Sequence, residues 1–278
     1  KLYHTRFRKH EYNPAGVNIF KEDWDNLIIL DACRYDVFEQ EHDLEGELER
    51  KTSRGSMSKE FIKGNFSGKS LHDVVCITSN NWYAKLYDEI DMEFHKLIQI
   101  EGDNYLEEAK NLNKKVKRTS NIHENKRLIV HHWLPHIPYI GPTASKSFPS
   151  AVEQHSSLYS DFRTGESDIS ERTLRQAYKE NVEIILPLAQ DLLELLPGKS
   201  VVTSDHGELL GDRVSPIPYK DYGHPPEMWV PELVQVPWLI HENEDRKRIV
   251  DEPPSEENRK EIQSDHVEQQ LKDMGYVL

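Results

Sequence analysis

The stretch VVTSDHGELLG, Val201 to Gly211, decides how the rest of the chain is read. Val201 to Thr203 is β-branched and reads as a short buried strand. It ends directly in Asp205 and His206, Gly207 turns the backbone, and another acid follows at Glu208. A carboxylate beside an imidazole at a strand's carboxyl end is half of a divalent-metal site, with a donor set that suits zinc or manganese. Ser204 to Gly207 are equally ordinary turn formers. Their meaning therefore depends on what surrounds them.

Immediately upstream, Leu174 to Leu196 is the clearest helix. Leu174, Tyr178, Ile185, Leu188, Leu192 and Leu196 recur along one face. Pro187 is expected to kink it, and Pro197-Gly198 ends it. A helix feeding a buried strand is an αβ unit and favours a parallel sheet. Downstream, residues 212–232 read as a proline-rich loop containing Tyr222-Gly223-His224-Pro225. Val234 to Ile240 reads as a strand that Pro237 places near an edge or a bulge.

Three earlier runs repeat the pattern of an apolar strand ending in polar residues. Leu27 to Leu30 runs into Asp31, with Arg34 and Asp36 close behind. Asp73 to Thr78 runs into Ser79-Asn80-Asn81. Leu128 to Val130 runs into His131, His132 and His136, where Pro135, Pro138 and Pro142 keep the following loop extended. An acid or imidazole at such an exit is costly unless it is paired or bound to metal. Between the first two runs, Ser56 and Ser58 precede a short amphipathic helix carrying Phe61 and Ile62. A serine there either caps the helix or gains an anion-binding N-terminus that favours a developing alkoxide.

The remaining segments carry less chemistry. Residues 39–52 read as acidic turns, 82–126 as charged and helical, and 143–170 as a Ser-rich irregular loop near the site. Residues 1–23 form an arm, and 242–278 a charged tail with a short helix at His266–Met274 packing on the same domain. The expectation is one domain over residues 1–241. No internal repeat is present.

With 36% hydrophobic residues the chain can build a real core, and its net charge of −14 argues against a general nucleic-acid or membrane-surface binder. Cys33 and Cys76 both fall in apolar runs and read as buried thiols. No apolar stretch is long enough to span a bilayer. The chain opens at Lys1 without a leader, from which a cytoplasmic location is expected.

If the four runs are parallel strands, Asp31, Asn80, His131 and the Asp205-His206 pair share one rim, where open α/β sheets bind ligands. Asp31 with Arg34, Gly55-Ser56-Met57-Ser58, HHWLPHIPY, SDHGELLG, YGHP and VQVPWLI follow one another as in the alkaline phosphatase/sulfatase superfamily. The motif style is similar to that of archaeal or bacterial sulfatase-like proteins and of phosphoethanolamine transferases. The closing VEQQLKDMGYV also resembles the end of such chains.

The resemblance implies a three-layer α/β/α fold with a largely parallel central sheet. It implies Asp31, Asp205 and His206 as metal ligands, with Ser58 as nucleophile and additional ligand and Ser56 as the fallback. His136 and His224 match histidines that contact the transferred group, the leaving group or a second metal. His131 is a weaker candidate for that pocket, and Arg34 is placed to neutralise charge near the metal. One or two divalent ions are implied, zinc or manganese before calcium or magnesium, and a small-molecule, glycan or lipid-headgroup ester as substrate.

The chain departs from the sulfatase pattern in one respect. Neither Ser56 nor Ser58 is followed by the Pro and Arg that direct conversion to formylglycine. An unmodified serine suits transfer from phosphate mono- or diesters. The alternatives are a sulfuric ester hydrolase with an atypical nucleophile and a non-catalytic metal-binding domain.

Overall fold

A computed structural model of the chain describes residues 10–102, 104–214, 219–243, 245–256 and 258. In chain order its strands are β1 (Asn26–Asp31), β2 (Glu47–Thr52), β3 (Ser70–Thr78), β4 (Glu93–Gln99), β5 (Arg127–Pro135), β6 (Gly198–Thr203), β7 (Leu209–Val214), β8 (Tyr219–Gly223) and β9 (Gln235–Asn243). The helices are α1 (Tyr35–Glu41), α2 (Ser58–Phe66), α3 (Trp82–Leu86), α4 (Tyr105–Ile122), α5 (Pro142–Ser147), α6 (Ala151–Ser156), α7 (Leu158–Thr164), α8 (Glu171–Leu195) and α9 (Pro231–Val234).

Seven strands form one sheet in the order β2-β9-β6-β1-β5-β3-β4, and β7 pairs with β8 in a separate hairpin. The five strands from β6 to β4 are mutually parallel, whereas β9 is antiparallel to both neighbours. Alternate side chains of the buried strands divide the interior into two clusters. Ile28, Leu30, Val75, Ile77, Leu128, Val130 and Val202 pack against α4 and α8. Leu27, Ile29, Val74, Cys76, Ile129 and Val201 pack against α2 and α3. Helices thus cover both faces, and the three-layer architecture with a mainly parallel sheet is as expected.

Several local expectations change. The acidic 39–52 segment contains β2 and the charged 82–126 segment contains β4; these are the two edge strands, of which β2 buries none of its six residues fully and β4 three of its seven. The Ser-rich 143–170 segment folds as α5, α6 and α7. The proline-rich 212–232 segment supplies part of the β7–β8 hairpin. β9 lies one strand in from the edge, so Pro237 occupies an interior strand. α8 continues through Pro187.

Both cysteines are buried and free. Of the expected 1–23 arm, residues 1–9 lie outside the described residues; in the rest Asn13 N donates to Arg54 O at 2.7 Å and Val17 N to Thr52 O at 2.8 Å. Beyond β9 the chain crosses the amino ends of the strands as a strap. Arg246 pairs with Asp23 and Asp25, Lys247 Nζ donates to Asn26 Oδ1 at 2.6 Å, and Glu252 N donates to His72 O at 3.2 Å. The expected His266–Met274 helix lies outside the described residues. Among the described residues, no helix is long and apolar enough to cross a membrane.

Candidate active site

Because β6, β1, β5 and β3 are parallel, their carboxyl ends open on one rim. Asp31 closes β1, Asp205 and His206 follow β6, and His131 lies in β5 level with Ile29 and Thr78. All four side chains are buried. Each is oriented by its neighbours and leaves one donor atom facing the others.

Asp205 Oδ1 accepts from Ala32 N at 3.1 Å and from His206 N at 2.9 Å, which leaves Oδ2 free. Ala32 holds a positive φ of 60°, the left-handed turn that aims its N–H at Asp205. Asp31 Oδ2 accepts from Asn80 Nδ2 at 2.7 Å and from Ser58 Oγ at 3.3 Å, which leaves Oδ1 free. His206 Nδ1 lies 2.8 Å from Gly207 O, an acceptor, so Nδ1 carries the proton and Nε2 presents its lone pair. Nε2 is 3.5 Å from both Asp31 Oδ1 and Asp205 Oδ2. His131 Nε2 is 3.6 Å from Asp205 Oδ2.

Two carboxylate oxygens and two imidazole nitrogens are therefore buried together without a hydrogen-bond partner among the described residues. Such a set is costly by itself and fits a divalent cation, with Asp31, Asp205 and His206 forming the tightest group. The electrostatics agree. Burial and the Asp205 charge push the Asp31 carboxyl well above the usual range. Burial also pushes Asp205 up, but His206 and His131 outweigh it and hold it below. Burial pulls His131 down to about 4 and His206 below its ordinary value, against the pull of the Asp205 charge.

Ser58 is the first residue of α2, so its hydroxyl stands at the helix N-terminus. Its Oγ donates to Asp31 Oδ2 and accepts from Asn80 Nδ2 at 3.0 Å. Ser56 faces elsewhere. Its Oγ reaches Glu60 Oε2 at 3.1 Å and Pro225 O at 3.0 Å, and it accepts from Met228 N at 3.3 Å. Asn80 marks a strand exit in the sequence, but nothing local to it foretells the link it makes between Ser58 and Asp31.

A second group lies beside the first. His224 Nδ1 is 2.9 Å from Glu208 Oε1, and His136 Nδ1 donates to Ile137 O at 2.7 Å. The ring centroids of His136 and His224 are 4.9 Å apart, and those of His224 and His206 are 4.7 Å apart. His136, Glu208 and His224 could hold a cation of their own. Burial lowers His224, but the Glu208 charge outweighs it and raises the imidazole. Glu208 belongs to the site although the motif reading gives it no role. Its signal is its place two residues after His206. This group opens on a cavity of about 710 Å³ whose walls include His155, Tyr159 and Arg163.

His131 faces the Asp31–Asp205 cluster rather than the His136–His224 pair. Arg34 is not brought to the cation cluster. Its guanidinium is engaged by Asp36 at 2.8 Å, by Asp212 at 2.7 Å and by Glu208 O at 3.0 Å.

Neither a protein-family model nor a curated protein matches the chain. Solved structures do. The chain is similar to the C-terminal periplasmic domain of phosphoethanolamine transferase EptC from Campylobacter jejuni, at 15% identity and a TM-score of 0.52, covering 77% of each chain. It is also similar to the C-terminal periplasmic domain of EptC from Escherichia coli in complex with zinc, at 14% identity and a TM-score of 0.48 over 80% of this chain and 74% of that one. The 2-O GAG sulfatase BT1596 follows at 10% identity and a TM-score of 0.46, over 80% of this chain and 64% of that one.

The protein therefore has the alkaline phosphatase-like fold of the Campylobacter jejuni phosphoethanolamine transferase domain. The cytoplasmic expectation is corrected at this point. The Campylobacter jejuni domain is periplasmic, which points away from the cytoplasm. A chain given from Lys1 onward is silent on any leader.

Proposed function

We propose that the protein is a metal-dependent hydrolase or transferase acting on phosphate mono- or diesters through Ser58. The observation that carries this reading is the Ser58 hydroxyl at the start of α2, 3.3 Å from Asp31 Oδ2, beside buried ligand atoms that lack any partner among the described residues. Asp31, Asp205 and His206 would hold the cation, with zinc or manganese suited to two carboxylates and an imidazole. When bound, the ion supplies positive charge that lowers the pKa of the hydroxyl.

The chain's own groups do the rest. Asn80 Nδ2 already donates to Ser58 Oγ and stays with it as the alkoxide develops. Oγ gives its proton to water and attacks phosphorus in line, the bond to the leaving oxygen breaks, that oxygen takes a proton from water to depart as the alcohol, and a phosphoserine forms. The His224 ring, kept protonated more readily by Glu208, would hold the equatorial oxygens, with the His136 ring packed beside it. Water or an acceptor alcohol then attacks phosphorus and releases Ser58.

The test is turnover of an aryl phosphate monoester, an aryl phosphodiester and an aryl sulfate by metal-stripped protein restored with single ions. Ser58→Ala is expected to lose phosphoester turnover by about a thousandfold or more. Full activity in Ser58→Ala would overturn the nucleophile assignment. Turnover of the sulfate alone would replace the substrate class.

A further inference from the structure

The loop that carries His224 is tied to the start of α2 by a buried carboxylate. Glu60 lies in the first turn of α2, two residues after Ser58, and is 5% exposed. Its Oε2 accepts from Ser56 N at 3.0 Å, from Ser56 Oγ at 3.1 Å and from Trp229 Nε1 at 3.0 Å. Its Oε1 accepts from Glu227 N at 2.5 Å. All four partners are donors, which suits a carboxylate that accepts at both oxygens.

The two ends of this link belong to the two halves of the site. On one side, Ser56 leads through Met57 to Ser58 at the N-terminus of α2. On the other, Glu227 and Trp229 follow His224, whose ring is 4.7 Å from that of His206 and whose Nδ1 is 2.9 Å from Glu208 Oε1. Glu227 takes a positive φ of 59°, a left-handed conformation that a residue other than glycine keeps only where its surroundings hold it. Met228, between the two bonded residues, is buried in a small apolar cluster with Leu209 and Val214 of β7. The loop is thus fixed to the hairpin on one side and to Glu60 on the other. Ser56 Oγ also meets the loop, at Pro225 O and Met228 N. Without that hydroxyl, Glu60 would still reach the loop directly at Glu227 and Trp229.

We propose that Glu60 is a positioning residue. It clamps the His224–Trp229 loop to the first turn of α2 and so fixes where the His224 ring stands relative to Ser58. The consequence for turnover rests on the phosphoester reading given above. In that reading Glu60 touches no reacting group and acts through His224.

Two measurements on the full chain test this. The first is hydrogen exchange at the amides of residues 227–229, read on metal-free wild type and Glu60→Gln. A glutamine amide must turn its own N–H groups toward some of the four donors, so exchange there is expected to rise about tenfold or more. Equal exchange in the two proteins would overturn the proposal. The second is phosphoester turnover in a double-mutant cycle with His224→Ala. Glu60→Gln should lower kcat about tenfold in the wild-type background and less than about twofold once the His224 ring is gone. An equal loss in both backgrounds would mark a general structural effect and would overturn the positioning role. Absence of phosphoester turnover in wild type would instead overturn the functional reading, with exchange still deciding whether Glu60 clamps the loop. Should Glu60→Gln fail to fold, Trp229→Phe, which keeps a ring and removes one donor, replaces it in both measurements with smaller changes of the same sign.

Discussion

Asn80 Nδ2 donates to Asp31 Oδ2 at 2.7 Å, and from the same nitrogen it reaches Ser58 Oγ at 3.0 Å. Its Oδ1 meanwhile accepts from Trp82 N at 2.9 Å, which fixes the amide's orientation. Asn80→Asp keeps that acceptor and removes the shared donor. Turnover is expected to fall about a hundredfold, with secondary structure retained. Steady-state kinetics alongside circular dichroism check both halves.

Ser56 carries the opposite expectation. Its hydroxyl joins Glu60, Pro225 and Met228, and the residue is fully buried. Ser56→Ala should lower stability by about 1–2 kcal/mol and leave turnover close to wild type. Denaturant unfolding and a rate measurement on the same sample separate it from Ser58→Ala.

Burial pushes the Glu108 carboxyl up to about 7, against the hydrogen bond from Ser79. The folded state therefore holds a proton that the unfolded state releases first. The stability from Glu108 is fully present below its ordinary value of 4.5 and is lost as pH rises through 7. Glu108→Gln should match wild type at acid pH and exceed it by about 1 kcal/mol at pH 8, a figure reduced for partial exposure. Unfolding midpoints across that pH range test the sign.

His132 is fully buried, and neither ring nitrogen has a hydrogen-bond partner among the described residues. An unsatisfied polar group of this kind costs about 1–3 kcal/mol. His132→Leu is expected to raise stability by roughly 1 kcal/mol, the remainder being offset by imperfect packing. Thermal unfolding of the variant with and without added metal checks it.

His131 and His132 also show how far residue order alone can be read. They are neighbours on β5 and face opposite sides of the sheet, one toward two carboxylates and the other into the core. The imidazoles of His131, His132 and His136 look alike as sequence, because nothing local reveals which side of the strand the rim occupies. The central strands are legible, since burial on both faces writes an unbroken apolar run such as Leu27 to Leu30. β2 and β4 are not, since ELERKT and EFHKLIQ are edge strands with polar positions. The strand exits locate Asp31, Asp205 and His206, whereas the links made by Asn80 and Glu208 depend on side chains distant in sequence. The position of Arg34 is hidden for the same reason, as Asp212 reaches it from β7.

The strap from Arg246 to Asn258 gives the molecule a mechanical polarity. It touches β1 through Asn26, β3 through His72 and β4 through His95, stitching strands from the first hundred residues at the end opposite the rim. A load drawn through the far end of the chain would first meet hydrogen bonds and ion pairs that give way in succession, like a seam. The parallel ladders that hold Asp31, His131 and Asp205 in register would be strained only after that seam had opened.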